Sequence, residues 1–461
     1  MSGALSFEVV SRSGSCAARV GRVETRHGGF DTPAFMPVGT KGAMKGIFPW
    51  EIVRGNGGLA GEGGAQVMLG NTYHLMLRPG AELVERMGGL HAFSGWGGAM
   101  LTDSGGYQAY SMADINSFSE RGVSFKSIVD GAMVDLTPER AVEVQNRLGA
   151  DIIMALDDCP PSVDPKTMNQ ARLRIRAQQL KAASEGKLSG GGAYDHARRL
   201  DEANERTARW LERCVAAHGR ADEQALFGIV QGGTDLERRS RSAAMVTGVE
   251  CPGYAIGGVA VGEGFGDIKR VVAHTAALLP EGKPRYLMGV GYERDIVAAV
   301  RAGVDMFDCV LPARNGRNAN AFTPAGQVRL KNARFAEDAR PLDWSYAAAL
   351  GMDRPAERTA AEVRSELGRV VGGDPLAEGH PLALGVLSRA YLRHLFLAKE
   401  MLGPVAVSLH NVRHFLRLAL DIRRAIAEDA WPSLASRWPV AFETGEGVVR
   451  APGIDSGPVG L

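Results

Sequence analysis

The feature that most constrains this chain is a recurring order of short apolar runs, polar turn-rich segments and helical stretches. It covers residues 1–182 and resumes over residues 205–323. Asp151-Ile-Ile-Met-Ala-Leu156 and Ala225-Leu-Phe-Gly-Ile-Val230 are two of the apolar runs, and residues 169–181 form an Arg/Ala-rich helical stretch. Strand-then-helix repetition builds a parallel sheet, because parallel neighbours need a crossover and a helix usually supplies it. The length suits a (β/α)8 barrel, although an open doubly wound sheet has the same periodicity. The ends of the apolar runs favour the barrel: Asp103, Asp157, Gln231 and Asp308 stand there, and barrel active sites gather at the C-terminal ends of the strands. The expected class is therefore α/β, an irregular (β/α)8 TIM barrel with insertions and a C-terminal helical subdomain.

Three segments depart from the pattern. Residues 185–204 contain Gly190-Gly-Gly192 and many charges and read as a flexible insertion in a barrel domain of residues 1–335. Residues 336–428 read as a helical subdomain, with an insertion over 353–381 that runs from an Ala/Glu/Arg helix into the turn Gly372-Gly-Asp-Pro375. Residues 429–461 lose periodicity, end rich in Gly and Pro, and are expected to be a disordered tail. No stretch approaches the roughly 20 apolar residues of a membrane span, and the first residues lack a secretory pattern, so a cytoplasmic protein with no membrane partner is expected. The cysteines Cys16, Cys159, Cys214, Cys251 and Cys309 have no paired spacing, which suits a reducing compartment. With 53 basic against 52 acidic residues, nucleic-acid binding would have to rest on a local patch.

Five segments carry candidate chemistry. Leu101-Thr-Asp-Ser-Gly-Gly-Tyr-Gln108 places Asp103 and Ser104 at a strand end, then Gly105 and Gly106, which let backbone approach a ligand, then the flat face of Tyr107. In isolation an ordinary Asp-capped turn fits that string as well. Leu156-Asp-Asp-Cys-Pro-Pro161 offers Asp157 as an acceptor for the two donors on a guanine edge, with Cys159 close by; a solvated turn is the plain alternative. Phe227-Gly-Ile-Val-Gln-Gly-Gly233 and Tyr254-Ala-Ile-Gly-Gly-Val-Ala-Val-Gly-Glu263 expose backbone around Gln231, Gly258 and Val261. Neither has the spacing of a dinucleotide or P-loop site, so no nucleotide cofactor is expected. Asp305-Met-Phe-Asp-Cys-Val-Leu-Pro-Ala-Arg-Asn-Gly-Arg-Asn318 sets Asp308 at a strand end before a basic loop of Ala313, Arg314, Asn315, Gly316 and Arg317, suited to phosphate contacts.

These strings, with Met36-Pro-Val-Gly-Thr40 and Leu69-Gly-Asn-Thr-Tyr-His-Leu75, occur in the order found in the queuine-type tRNA-guanine transglycosylases, which the chain resembles over residues 6–335 and 388–410. The resemblance implies exchange of the guanine at the first anticodon position of tRNAs for Asp, Asn, His and Tyr, as a step of queuosine biosynthesis. It makes Asp308 the nucleophile and Asp103 the acid/base. It assigns base reading to Asp157, Gln231 and the backbone near Gly258, with Tyr107 and Met288 covering the ring faces. It assigns RNA contacts to Gly289, Val290, Gly291, Tyr292, Glu293, Arg294 and Asp295, with Tyr292 standing where a Lys or Arg is usual, and to the basic loop at 313–317. Val261 and Cys159 match the bacterial pocket, which points to 7-aminomethyl-7-deazaguanine rather than queuine as the incoming base. A homodimer is implied. Two rival readings are a non-catalytic tRNA-binding subunit, against which Asp103 and Asp308 argue, and a queuine-salvaging enzyme. The family's structural zinc is not expected, because its three cysteines are missing; only His410 keeps a ligand position, and Trp344-Ser-Tyr-Ala-Ala-Ala-Leu350 follows Pro341-Leu342-Asp343 where the first cysteine would come.

Overall fold

The computed structural model describes residues 3–53, 63–112, 115–162, 164, 195–260, 263–376 and 383–443. An antiparallel sheet of β1 (Leu5–Arg12), β2 (Arg19–Thr25) and β3 (Gly28–Thr32) comes first. The parallel strands β4 (Ala34–Gly39), β5 (Val67–Gly70) and β6 (Ala99–Thr102) follow, and then a small antiparallel sheet of β7 (Ile115–Phe118), β8 (Val123–Lys126) and β9 (Met133–Leu136). Next come β10 (Ile152–Met154), β11 (Ala225–Val230), β12 (Gly253–Ile256), β13 (Arg285–Leu287) and β14 (Met306–Cys309), and the ring closes through β14 onto β4. This is the closed eight-stranded barrel with helical crossovers that the strand-helix order implied. Alternate residues of every barrel strand, among them Met36, Leu69, Leu101, Met154, Phe227, Ala255, Tyr286 and Met306, form one buried cluster. That period of two is what puts the intervening side chains on the helical layer outside.

Val23 and Phe30 of the N-terminal sheet join the same cluster. Beside them, Arg19 is bound by both nitrogens of its fork to Asp305, at 2.9 and 2.7 Å, and by a further bond of 2.8 Å to the Lys283 carbonyl. Asp305 also accepts the Arg285 amide at 2.7 Å. Burial pushes the Asp305 carboxyl up despite the Arg19 charge, so the pair locks the N-terminal end of β14 without being a cheap source of stability.

Chain contacts divide the molecule into two units, residues 1–43, 66–290 and 298–308 in one, and residues 44–65, 291–297 and 309–461 in the other. The second unit holds the hairpin β15 (Asn320–Thr323) and β16 (Gly326–Arg329) and a set of helices around the long helix Leu402–Ala427. Asn411 in that helix accepts the Phe322 amide at 2.9 Å and donates to the carbonyls of Pro312 and Asn320 at 3.0 and 2.9 Å, so one side chain ties three segments.

The structure differs from the sequence-based expectation at three places. The expected tail is ordered over residues 429–443: the helix Trp431–Arg437 buries Trp431 and Leu434, and Trp438 donates to Asp421 at 2.8 Å. The expected flexible segment 185–204 is helical from His196, within His196–Ala217, because Asp195 caps the helix and Arg199, Leu200 and Ala203 face inward; residues 185–194 and the helical stretch 169–181 lie outside the described residues. The expected basic loop at 313–317 is part of a helix, Leu311–Arg317, started by Pro312 and pressed so close to Ser408 that a Cβ on Gly316 would sit 2.5 Å from the Ser408 Cα. Among the described residues no helix is long and apolar enough to cross a membrane.

The Arg19 and Asp305 pair gives a direct check on the barrel's N-terminal closure. Arg19→Met leaves a buried carboxylate without its counter-charge and is expected to destabilise the protein by about 3–5 kcal/mol, read by urea unfolding; a loss under about 1 kcal/mol, the range of an exposed pair, would show that the pair does not hold the closure.

Candidate active site

The barrel unit brings Asp103, Asp157, Gln231 and Asp308 to the C-terminal ends of β6, β10, β11 and β14. Asp103 follows β6 directly. One carboxylate oxygen accepts Asn71 Nδ2 at 2.6 Å and the other the Thr72 amide at 3.0 Å. Burial, with the nearby charge of Asp308 adding to it, pushes the Asp103 carboxyl up to about 7 against the pull of these bonds. Asp157 stands three residues beyond β10 and accepts Gln231 Nε2 at 2.6 Å; burial and the charge of Asp158 push it up to about 7 as well. Asp308, within β14, accepts the Tyr286 hydroxyl at 2.6 Å and the Gly289 amide at 2.7 Å, both on Oδ1. Burial raises it too, against these two bonds.

The strand ends are held from outside the barrel. Thr137 caps the helix Pro138–Leu148, and Gln145 in that helix both donates to and accepts from the Met154 backbone at 2.9 Å. Its Oε1 also takes the Thr102 hydroxyl at 3.1 Å, so one amide fixes the residues leading into Asp103 and Asp157. Asp158 turns away and forms a buried ion pair with Arg199, at 2.5 and 2.8 Å, and with Arg206, at 2.6 Å; its amide donates to Thr207 at 3.1 Å. Of two adjacent carboxylates, one is paired with arginines and the other faces the neutral amide of Gln231. Glycines give the room: Gly105 has φ +77°, and its Cβ would come within 3.1 Å of the Tyr73 amide; a Cβ on Gly106 would meet Leu156 at 2.8 Å. Ser104 is buried and accepts the Gly106 amide at 3.3 Å, Gly258 is buried at φ +64°, Cys159 and Met288 are half-buried, and Tyr107 is 37% exposed. Val261 lies outside the described residues.

The stretch 289–295 divides differently from the expectation. Gly289 is exposed, but Val290, Gly291, Glu293 and Asp295 are buried, and Glu293 bonds His414 at 2.7 Å. Glu293 and Asp295 are thus buried within their own unit. In the helix Leu311–Arg317, Arg314 is exposed and Arg317 half-buried. Sequence reading missed the partners that orient the carboxylates, Asn71, Tyr286, Arg199 and Arg206. Asn71 lay in a quoted motif, and nothing local marked the others.

Two groups bear on metals. His410 is buried, bonds the Phe322 carbonyl through Nε2 at 2.8 Å, has no partner for Nδ1, and is pushed down to about 4 by burial, so it is neutral. Around it stand no thiols but Asp343, fully buried and bonded to Arg417 at 3.0 Å, with the Arg417 guanidinium 5.1 Å from the ring centres of both Tyr346 and Trp438. His414 stands near His410 and is bonded to Glu293, and two imidazoles without thiols beside an arginine are no ligand set for a structural zinc, which takes four donors, usually rich in thiolate. Beside the N-terminal end of β10, ligand atoms of His27, His91 and Asp151 lie within 4.8 Å of one another. The two imidazoles are stacked at 3.6 Å and both bond Asp151, which also accepts the Met100 amide at 2.8 Å. Stacked rings point their nitrogens side by side rather than at one ion, so this cluster reads as a cap on β10.

A family model described as queuine tRNA-ribosyltransferase matches residues 14–187, 192–348 and 383–443. Among similar proteins, a queuine tRNA-ribosyltransferase of Thermus thermophilus is 44% identical over 429 residues, 93% of this chain and 92% of the relative. One of Synechococcus elongatus is 39% identical over 436 residues, 94% of each chain. One of Bacillus velezensis is 39% identical over 423 residues, 92% of each.

The raised carboxyl of Asp157 makes a stability test with a definite sign. Its folded value near 7 lies above the unfolded carboxylate value, so its stabilising contribution is complete below about pH 4 and is lost as pH rises through about 7. Asp157→Asn mimics the protonated form and can still accept from Gln231. The variant's melting temperature is expected to gain on the wild type's between pH 5 and pH 8; a constant difference across that window would mean that Asp157 is ionised throughout.

Proposed function

The chain belongs to the queuine tRNA-ribosyltransferase family, and from that premise we propose that it is the enzyme that exchanges guanine in tRNA for a 7-deazaguanine in queuosine biosynthesis. The observation that supports this most is the convergence of three carboxylates, two buried and one half-buried, on one barrel end, each in a different hydrogen-bond setting. Base exchange at a ribose needs a nucleophile, a proton carrier and an acceptor for the purine edge, and three distinct carboxylates can divide those tasks.

In this reading Asp308 is the nucleophile. Its Oδ1 is held by Tyr286 and Gly289, which leaves Oδ2 to attack C1′ of the target ribose. The N9–C1′ bond breaks, its electron pair leaves with guanine, and Asp103, with a carboxyl near 7, gives the departing base its proton. The entering base returns a proton from its N9 to Asp103, attacks C1′, and breaks the ester bond to Asp308. Two displacements keep the anomeric configuration, as in retaining glycosidases, and no ATP is consumed. Asp157 and Gln231 read the base edge with the backbone near Gly258, and Tyr107 and Met288 cover its faces. A stacked base is out of reach of such a pocket, so the wobble guanine is flipped out of the anticodon loop. Arg314 and Arg317 supply phosphate contacts. The bulk of Val261 favours 7-aminomethyl-7-deazaguanine over queuine as the entering base. The enzyme works as a homodimer, a reading supported by the exposed, stacked pair Phe48 and Trp50, whose ring centres are 4.3 Å apart.

We further propose that the chain dispenses with zinc and that the Asp343–Arg417 pair and its aromatic neighbours fill the place of the metal.

Two outcomes test these readings. Wild-type enzyme mixed with tRNA and excess 9-deazaguanine is expected to give a denaturation-resistant adduct on a gel, and Asp308→Ala none; an adduct of equal yield in the variant would assign the nucleophile elsewhere. Elemental analysis of purified enzyme is expected to find no stoichiometric zinc, with activity and melting temperature unchanged in a strong chelator. One zinc per chain, with activity lost on chelation and restored by zinc, would show that other ligands rebuild the site.

A further inference from the structure

Arg239 lies in the helix Leu236–Thr247, is fully buried, and has no carboxylate paired with it among the described residues. Its guanidinium instead donates to four backbone carbonyls: Gly233 through Nε at 2.9 Å, Val230 and Gly257 through Nη1 at 3.1 and 2.7 Å, and Gly258 through Nη2 at 3.0 Å. These carbonyls belong to the two segments that leave β11 and β12, the same segments that present Gln231 and Gly258. Burying a cation is costly, and burial pulls this guanidinium down to about 10 although the Glu263 charge nearby acts to raise it; an apolar residue would fill the space without that cost. The arrangement therefore does something packing alone would not require.

We infer that Arg239 is a positioning residue for base recognition, which turns the peptide groups after β12 so that their N–H donors face the pocket. In a trans peptide the N–H points opposite to the C=O. Fixing the carbonyls of Gly257 and Gly258 on Arg239 thus aims the amides of Gly258 and Val259 away from the guanidinium. Two such donors suit the carbonyl oxygen of a purine, while Asp157 accepts from its N–H edge. The local sequence agrees. A Cβ on Gly258 would lie 2.2 Å from Gln231 Oε1, and one on Gly257 2.6 Å from Gln231 Nε2, so only glycine allows peptide and amide to share this corner. Ser242, one turn further along the helix, holds the Gln231 amide at 3.0 Å, so the helix sets both base-reading segments from one face.

The inference rests on the proposed base exchange, and the experiment separates the two. Labelled-guanine exchange into tRNA is measured for wild type, Arg239→Lys and Arg239→Gln. A wild type that incorporates no guanine refutes the proposed function itself. With an active wild type, the variants are expected to raise KM for guanine by about tenfold or more, equivalent to about 1.4 kcal/mol, with KM for tRNA changed less than about twofold. Lysine, which keeps the charge but not the planar fork, is expected to rescue only in part. A fall in kcat with an unchanged KM for guanine, the mark of a smaller folded fraction, overturns the inference. Because the variants could fail to fold, a crystal structure of wild type with guanine gives an independent reading. The Gly258 amide is expected within hydrogen-bond distance of the base with Arg239 still on its carbonyls; a base bound with that amide turned away overturns the inference.

Discussion

The structure depends on holding carboxylates that water would rather keep. Asp103 and Asp157 are buried and Asp308 half-buried at the mouth of the barrel, and in each the loss of hydration outweighs the hydrogen bonds offered. Asp158, beside them, is instead ion-paired with Arg199 and Arg206. Asp103, Asp157 and Asp308 receive neutral donors, an asparagine, a glutamine, a tyrosine and backbone amides, which orient without neutralising. Groups poised near neutrality can both give and take a proton.

That choice explains the supporting layer. Neutral donors are weaker than cations, so their own positions must be fixed from behind. Gln145 clamps Met154 and Thr102, Asn71 starts the helix that follows β5, and the buried Arg239 gathers four carbonyls. Cations are present in the barrel wall, but they bind backbone or a non-participating acid. At the opposite end of the barrel a carboxylate is fully ion-paired as well, Asp305 with Arg19.

How much of this could be read from sequence follows from the range of each interaction. The barrel and the residues at its strand ends were legible because strand period and strand-end acids are local features. Gly105, Gly258 and Gln231 came with their motifs. Arg239 was not legible: in Leu236-Glu-Arg-Arg-Ser-Arg241 three arginines look alike, and only packing turns one of them inward while Arg238 pairs with Asp201. The order over residues 429–443 was missed because it rests on Trp431 and Trp438 finding Asp421 and the long helix, a contact without local periodicity. The basic segment at 313–317 reads as a loop from its Asn and Gly, yet Gly316 is what lets the helix lie against Ser408. Buried Glu293 and Asp295 likewise look like surface charge until His414 is placed beside the first of them.

The account holds that three carboxylates of one barrel exchange a single purine in tRNA. Labelled guanine incubated with the enzyme and an unmodified tRNA for Asp tests this most directly. The label is expected to enter the tRNA at the first anticodon position, with no ATP, and to be absent from a transcript in which that guanine is replaced by adenine. Label entering both transcripts equally, or neither, would contradict the account.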